Sequence, residues 1–322
     1  MKLARREVLF GAAALAACGS HAPQGSKTRG DVFAAGQPAA ILTMILAPHR
    51  LLGWPRRPSR DARALLPAFA NLPEYGALTS GGAPANLEKV ASLNPSLILD
   101  YGDTEADYSA LAERIRARVG VPYRLIDGAL ARTPSALIEA GTLLDADARA
   151  ARLADRATDI LSRWTAKAGA GPSFYYARGR DGLETGFAGA LATQVLEGAG
   201  WRNVATGGRD IGRVSREQVA AWAPDVLVTL DAGFARAAMG DPFWSRGSAV
   251  PRRILLLPEL PFGWIDRPPS VNRLLGCAWF AGGPMPSVDA STIAMARRFS
   301  RDFYGTTPSE ATAATLIPRW LA

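Results

Sequence analysis

Histidine and cysteine are nearly missing: the 322 residues hold two of each, His21, His49, Cys18 and Cys277. Two histidines are too few for a His-rich metal site. Catalytic signatures are missing too. There is no Gly-x-Ser-x-Gly elbow, phosphate loop, dinucleotide fingerprint or His-Glu-x-x-His, which removes the motif-bearing enzyme classes. The N-terminal apolar stretch has ten residues, Val8 to Ala17, where a spanning helix needs about 20. Nor is there a basic stripe of the kind a nucleic-acid binder carries. The formal net charge is +8, of which the first seven residues supply +2; the remaining +6 is spread thinly and leaves only a bias toward anionic partners. What is present is globular: 48% hydrophobic and 20% charged residues, with length for two domains.

The N-terminus has the layout of an export signal. Lys2, Arg5 and Arg6 form a basic head, the short apolar core follows, and Leu15-Ala16-Ala17-Cys18 closes it. That closing run resembles the lipobox of bacterial lipoproteins, making 1–17 a cleaved signal and Cys18 an acylated first residue. The paired arginines resemble a twin-arginine signal, from which Ala4 and Phe10 depart. Residues 18–30 have linker composition and form a tether, with His21 solvated in it. Replacing Cys18 with serine is expected to give a soluble or uncleaved protein, measured by membrane partitioning; a processed Cys18→Ser form that still partitions to membranes contradicts the anchor. With Cys18 acylated, Cys277 has no partner in the chain and reads as a small buried hydrophobe.

The segment 147–168 is expected to be one uninterrupted helix. Leu153, Ala157, Ile160, Leu161, Trp164 and Ala168 recur on one face, and Asp159 and Arg163 pair at i, i+4 on the other. Asp147 can cap it and Gly169 can end it. At about 1.5 Å per residue it is roughly 33 Å long. The chain on either side repeats itself. Asn86-Leu-Glu88-Lys-Val90 with Pro95 and the apolar run to Leu99 matches Ser215-Arg-Glu217-Gln-Val219 with Pro224 and the run to Val228, 129 positions on (Asn86 to Ser215, Pro95 to Pro224). Each block reads as a capped helix stopped before proline and feeding a buried strand. The arrangement predicts a duplicated αβ lobe, 31–146 and 169–322, with the helix as a strut between copies.

Strands alternating with helices predict parallel sheets covered on both faces, among them strands at 51–54 and 204–206 and a helix over 187–199. In such sheets, loops after strand C-termini line the crevice. That rule puts Gln37, Trp54, Arg56, Tyr101, Arg178, Arg209, Arg213, Asp231, Trp264, Asp266 and Arg267 on the crevice side and His49 at the far end. The arginines, Arg178, Arg209, Arg213 and Arg267, come from three loops and are suited to carboxylates or oxyanions. Trp54, Tyr101 and Trp264 are candidate flat walls for a chelate or macrocycle. Few carboxylates are expected beside them, which favours an anionic ligand.

Two αβ lobes bridged by one long helix behind a lipoprotein signal resemble the substrate-binding proteins of ABC importers for metal complexes, the class III periplasmic-binding type. The marks are Asn86-Leu-Glu88 with Asn94-Pro95-Ser96, the Ser215 to Val219 block with Ala223-Pro224-Asp225, and Asp241-Pro-Phe-Trp244 before Ala249-Val250. Ser96 departs, standing where aspartate is usual. The resemblance implies a periplasmic, lipid-anchored monomer with no intrinsic cofactor and no bound structural metal. It implies lobes held nearly rigid and a ligand that is a ferric siderophore, haem, cobalamin, molybdate or tungstate. Glu88 and Glu217 stand where family glutamates meet the permease. The best reading is an anionic ferric chelate, with molybdate or tungstate as the alternative. A periplasmic metal chelatase on the same two-lobe plan, or a lipoprotein that scaffolds an envelope complex, are the competing classes.

Overall fold

The computed structural model describes residues 30–79, 83–166, 170–245 and 253–321. The signal, Cys18, the tether before Gly30, Ala168, Gly169, Ala249 and Val250 lie outside the described residues. The first lobe contains β1 (Val32–Ala34), α1 (Gln37–Leu46), α2 (Arg60–Leu65), α3 (Leu87–Ser92), β2 (Leu97–Gly102), α4 (Ala106–Val119), β3 (Tyr123–Asp127) and α5 (Thr133–Leu143). The strut is α6 (Asp147–Ala166). The second lobe begins with β4 (Ser173–Tyr176), β5 (Glu184–Gly186), α7 (Gln194–Gly198), β6 (Arg202–Asn203) and β7 (Ile211–Arg213). It continues with α8 (Arg216–Trp222), β8 (Val226–Thr229), α9 (Ala232–Gly240), α10 (Pro242–Ser245) and β9 (Arg253–Leu256). Helices α11 (Arg273–Phe280), α12 (Ala290–Phe299) and α13 (Glu310–Ala314) and strand β10 (Arg319–Leu321) close the chain.

The first sheet is parallel, in the order β1-β2-β3. Leu51 touches the free side of β1 and Trp54 touches Glu74, each through a single parallel bridge, so the expected strand at 51–54 is reduced to two isolated contacts. The second sheet runs β10-β9-β8-β4-β6, parallel except for β10 at its edge. The lobes match strand for strand, β1 with β4 and β2 with β8. In each, the chain leaves the first strand to one side and returns to the other. A crevice opens at such a reversal, outside the strand C-termini.

The duplication reaches into backbone detail. Asn86 caps α3 by accepting from the amides of Glu88 and Lys89, and Ser215 caps α8 with a capping box to Gln218. Asn94 and Ala223, both just before a proline, share a left-handed backbone at φ +46 and +44. The departure at Ser96 is explained by its partner. In the first lobe Ser96 Oγ donates to the Asp31 carboxylate; in the second Ser173 Oγ donates to the Asp225 carboxylate. The same hydroxyl–carboxylate tie joins strand start to strand start with its two ends exchanged. Arg50 adds a two-armed contact to Asp31 that holds that carboxyl down at about 2.

The strut packs on α5 at one end and α11 at the other. At Gly141 a Cβ would fall 2.2 Å from the Ala150 methyl, and at Gly198 one would fall 2.1 Å from the Trp164 ring. Glycine at both sites therefore lets the strut sit in backbone contact with each lobe. Leu153, Ala157 and Trp164 are buried and belong to an apolar core that continues through Ile41, Leu137, Phe174, Leu274 and Phe303, from one lobe into the other. Each such large side chain contributes about 1.5–3 kcal/mol. Arg149 fastens the strut at its first turn, donating to the Ile45 and Phe303 carbonyls.

The helix expected over 187–199 shrinks to α7, because Gly189 takes a left-handed φ of +86 and breaks its first half. Residues 184–186 and 211–213 form an antiparallel ribbon, β5 with β7, that the alternating αβ pattern does not announce. Among the described residues no helix is long and apolar enough to cross a membrane.

Candidate ligand-binding site

A cavity of about 700 Å³ lies between the lobes at the strand C-termini. Gln37 at the head of α1, Arg56, Thr79, and Asp100 to Asp103 at the end of β2 line one wall. Arg178 after β4, the 190–192 turn, Asp210 and the 259–269 loop line the other. Both reversal points in the strand order therefore open into the same space.

On the second wall Arg178 Nη1 lies 3.0 Å from Asp266 Oδ2, and Tyr176 donates its hydroxyl to the same oxygen at 3.0 Å. Asp266 and Tyr176 are buried, and burial drives the Tyr176 phenol well above its ordinary range. Arg178 Nε is 3.0 Å from Glu184 Oε1, an ion pair that does not meet hydrogen-bond geometry, and it has no hydrogen-bond partner among the described residues. Arg267 takes a left-handed backbone, φ +60, a strained state for a residue with a side chain. The surrounding loop enforces it: Gly263 N donates to the Arg267 carbonyl, and Asn272 Nδ2 donates to the carbonyls of Gly263 and Pro268. The result aims the guanidinium at the cavity, with Nη1 3.2 Å from Glu259 Oε1.

On the first wall Asp100 accepts from Tyr123 Oη at 2.8 Å and from the Tyr101 amide at 2.9 Å. Burial raises its pKa despite those bonds. The Tyr101 hydroxyl is buried and has no hydrogen-bond partner among the described residues. Gln37 Oε1 accepts from the Arg56 backbone N–H at 3.2 Å, holding that loop at the cavity. The exposed Arg56 guanidinium makes no ion pair among the described residues.

Of the residues that sequence placed here, Tyr101, Arg178 and Arg267 line the cavity, as do Gln37, Arg56 and Asp266. Others are elsewhere. Trp54 is core: its indole N–H donates to the Phe69 carbonyl at 3.2 Å and its ring packs on Phe262. Trp264 is equally buried, edge-on to Trp279. The Trp54 indole is consumed by the apolar contact between the lobes and the Trp264 indole by packing within its own lobe, and neither lines the cavity. Arg213 is turned outward by the β5–β7 ribbon and pairs with Asp181 at 2.5 Å. Arg209 spans the cavity mouth to reach Glu105 of the other lobe at 2.7 Å. Asp231 caps α9 by accepting from the Phe234 amide. His49 lies in a turn away from the cavity.

The expectation of few carboxylates is also corrected. Asp100, Asp103, Asp210, Glu259 and Asp266 line the cavity beside the three arginines. Of these five, only Asp266 was placed on the crevice side from sequence; Asp266 and Glu259 are the counter-ions of Arg178 and Arg267. Among the described residues no group of three or more histidine, cysteine, aspartate and glutamate side chains is placed to hold a bare metal ion.

Below the cavity an unforeseen residue joins the lobes. Arg273 is completely buried. It donates to the carbonyls of Ser270 and Leu191, to Gln194 Oε1 and, across the lobes, to the Gly128 carbonyl. Gln194 Oε1 also accepts from the Leu130 amide at 2.9 Å, and Ser270 Oγ donates to the Pro38 carbonyl at 2.9 Å. The sequence signal was available: one arginine inside an apolar helical run.

No protein-family model and no curated protein matches the chain. Solved structures do. An ABC transporter solute-binding protein from Sulfurospirillum deleyianum DSM 6946 aligns with a TM-score of 0.77 at 22% identity, over 88% of this chain and 93% of that one. The molybdate periplasmic binding protein of a Haemophilus influenzae ABC transporter aligns at 0.64 and 18%, over 86% and 93%. A periplasmic haem-binding protein from Pseudomonas aeruginosa aligns at 0.57 and 19%, over 80% and 93%. The chain therefore has the helix-bridged, two-lobe fold of the periplasmic solute-binding proteins of ABC transporters, those for metal complexes among them.

Proposed function

We propose that this chain is an extracytoplasmic solute-binding lipoprotein that captures a polar metal chelate with anionic arms and delivers it to an ABC importer. The observation that carries the reading is the interlobe cavity, where both strand-order reversals open and Arg56, Arg178 and Arg267 converge. Size and lining choose among ligands. A four-oxygen oxyanion, at roughly 30 Å³ per water-sized oxygen, fills on the order of 120 Å³, a small part of a cavity of about 700 Å³. Flat macrocycles want aromatic walls, and Trp54 and Trp264 are withdrawn into the core. A chelate of intermediate size whose surface is mainly oxygen suits both facts. A continuous interlobe core supports preorganised cavity walls, and the proposed role is binding without chemical change.

Titration of the purified mature protein with a ferric carboxylate chelate, a ferric catecholate, haem, cobalamin and molybdate tests this reading. The ferric chelates are expected to bind at least tenfold more tightly than molybdate or cobalamin. Tight, salt-insensitive cobalamin binding that survives Arg267→Ala contradicts it. No binding of any probe points to the envelope-scaffold class, and metal insertion into a tetrapyrrole points to the chelatase.

Delivery is assigned to Glu88 and Glu217. Each is the second residue of its helix, α3 or α8, and each is exposed. Helices that feed parallel strands start at the end where those strands finish, so both glutamates face the side of the cavity mouth. Glu217→Arg is expected to leave ligand affinity unchanged while uptake in cells falls severely, because the lost contact is with the permease. Loss of ligand binding by the purified variant would put Glu217 in the cleft instead.

A further inference from the structure

The three cavity arginines differ in how firmly the protein already neutralises them. Arg178 is held by a buried carboxylate: its side chain is 17% exposed and that of Asp266 3%. Arg56 has no ion-pair partner among the described residues. Arg267 is intermediate. Its side chain is 21% exposed and its counter-ion, Glu259, is 51% exposed. The pair is a single contact at 3.2 Å from one guanidinium nitrogen to one carboxylate oxygen, where a charge-assisted fork would make two at about 2.7–2.9 Å. The partners are also unequal in freedom. Arg267 is fixed by its left-handed backbone and by the packing of the 263–272 turn. Glu259 stands exposed at the cavity rim, outside any helix or strand.

We infer that Glu259 is a specificity-determining residue: in the empty cavity it stands in for an anionic arm of the ligand on Arg267, and the ligand displaces it. The inference rests on the capture reading above and deepens it. Displacement exchanges one ion pair for another, so an anion offering a single charged oxygen gains little. A carboxylate, catecholate or hydroxamate that engages both guanidinium nitrogens gains the second hydrogen bond as well as the first. Glu259 therefore holds down affinity for simple anions and passes bidentate chelating arms.

Binding of a ferric carboxylate chelate and of molybdate is measured by titration calorimetry for the wild type, Glu259→Gln, Arg267→Ala and the double variant. Glu259→Gln is expected to tighten the ferric chelate by about three- to tenfold, and molybdate by a similar factor if its oxygens also reach Arg267, because both anions then displace the same carboxylate. In the Arg267→Ala background the same change should have no effect, because nothing is left to compete for. Glu259 is exposed, and unchanged thermal unfolding of Glu259→Gln will show that its fold is intact. If the wild type binds a probe and Glu259→Gln binds it equally or more weakly, the inference is overturned while the capture reading stands. If neither protein binds any probe, both fall.

Discussion

Replacing Arg273 with methionine is expected to lower the free energy of unfolding by about 3–5 kcal/mol, an effect larger than any at the cavity surface. Methionine keeps much of the stem volume, so the loss isolates the guanidinium. Without it the carbonyls of Gly128, Leu191 and Ser270 lose a donor inside the protein. A buried acceptor left unmade costs about 1–3 kcal/mol. The effect should also be directional. Because Arg273 and Gln194 tie the second lobe to residues 128–130 of the first, the variant should lose cooperativity between lobes, seen as a broadened urea transition. Measurement is by urea unfolding at fixed pH. A change below about 1 kcal/mol would mean that the interlobe tie is dispensable.

Arg178→Ala is expected to cost about 3 kcal/mol of stability, by leaving the Asp266 carboxylate buried with only the Tyr176 hydroxyl. Adding Asp266→Asn should return a large part of that loss, since the stranded charge is removed with its partner. The double variant should therefore be more stable than Arg178→Ala alone, a coupling of the sign and size expected for contacting charges. Thermal or urea unfolding of the four proteins completes the cycle. Additive losses would show that Arg178 acts through its packing on Tyr176 and not as a counter-ion. The contrast with Arg267 is deliberate: one arginine holds the cavity wall together, the other is aimed at what enters it.

Where the sequence could be read, local signals decided the outcome. The strut was visible because its apolar face is periodic and nothing breaks it, and the structure forms it as α6. The duplicated blocks were visible because caps, prolines and apolar runs are local features, and they recur in α3–β2 and α8–β8. Tyr101, Arg178 and Arg267 followed from a topological rule about strand ends. The errors share a different physical cause. Whether Trp54 or Trp264 faces a ligand or a core depends on what distant segments place against it, and here that is Phe262 of the other lobe for Trp54 and Trp279 of its own lobe for Trp264. The arginines' net charge depends on carboxylates distant in sequence, as with Asp266 on Arg178 and Glu105 on Arg209. Arg213 went astray with the β5–β7 ribbon, whose three-residue strands carry too short a pattern to announce themselves. Periodicity reports which face of an element is apolar; it does not report the partner.

The central claim is that the interlobe cavity holds a metal chelate through its arginines. It is tested most directly by native mass spectrometry of the protein purified from its own host, alongside Arg56→Ala and Arg267→Ala purified in the same way. A metal-containing, anionic adduct is expected on the wild type and depleted on both variants, with the ligand-free forms of all three unfolding at the same temperature. An adduct retained undiminished by both variants, or a neutral macrocycle in its place, would contradict it.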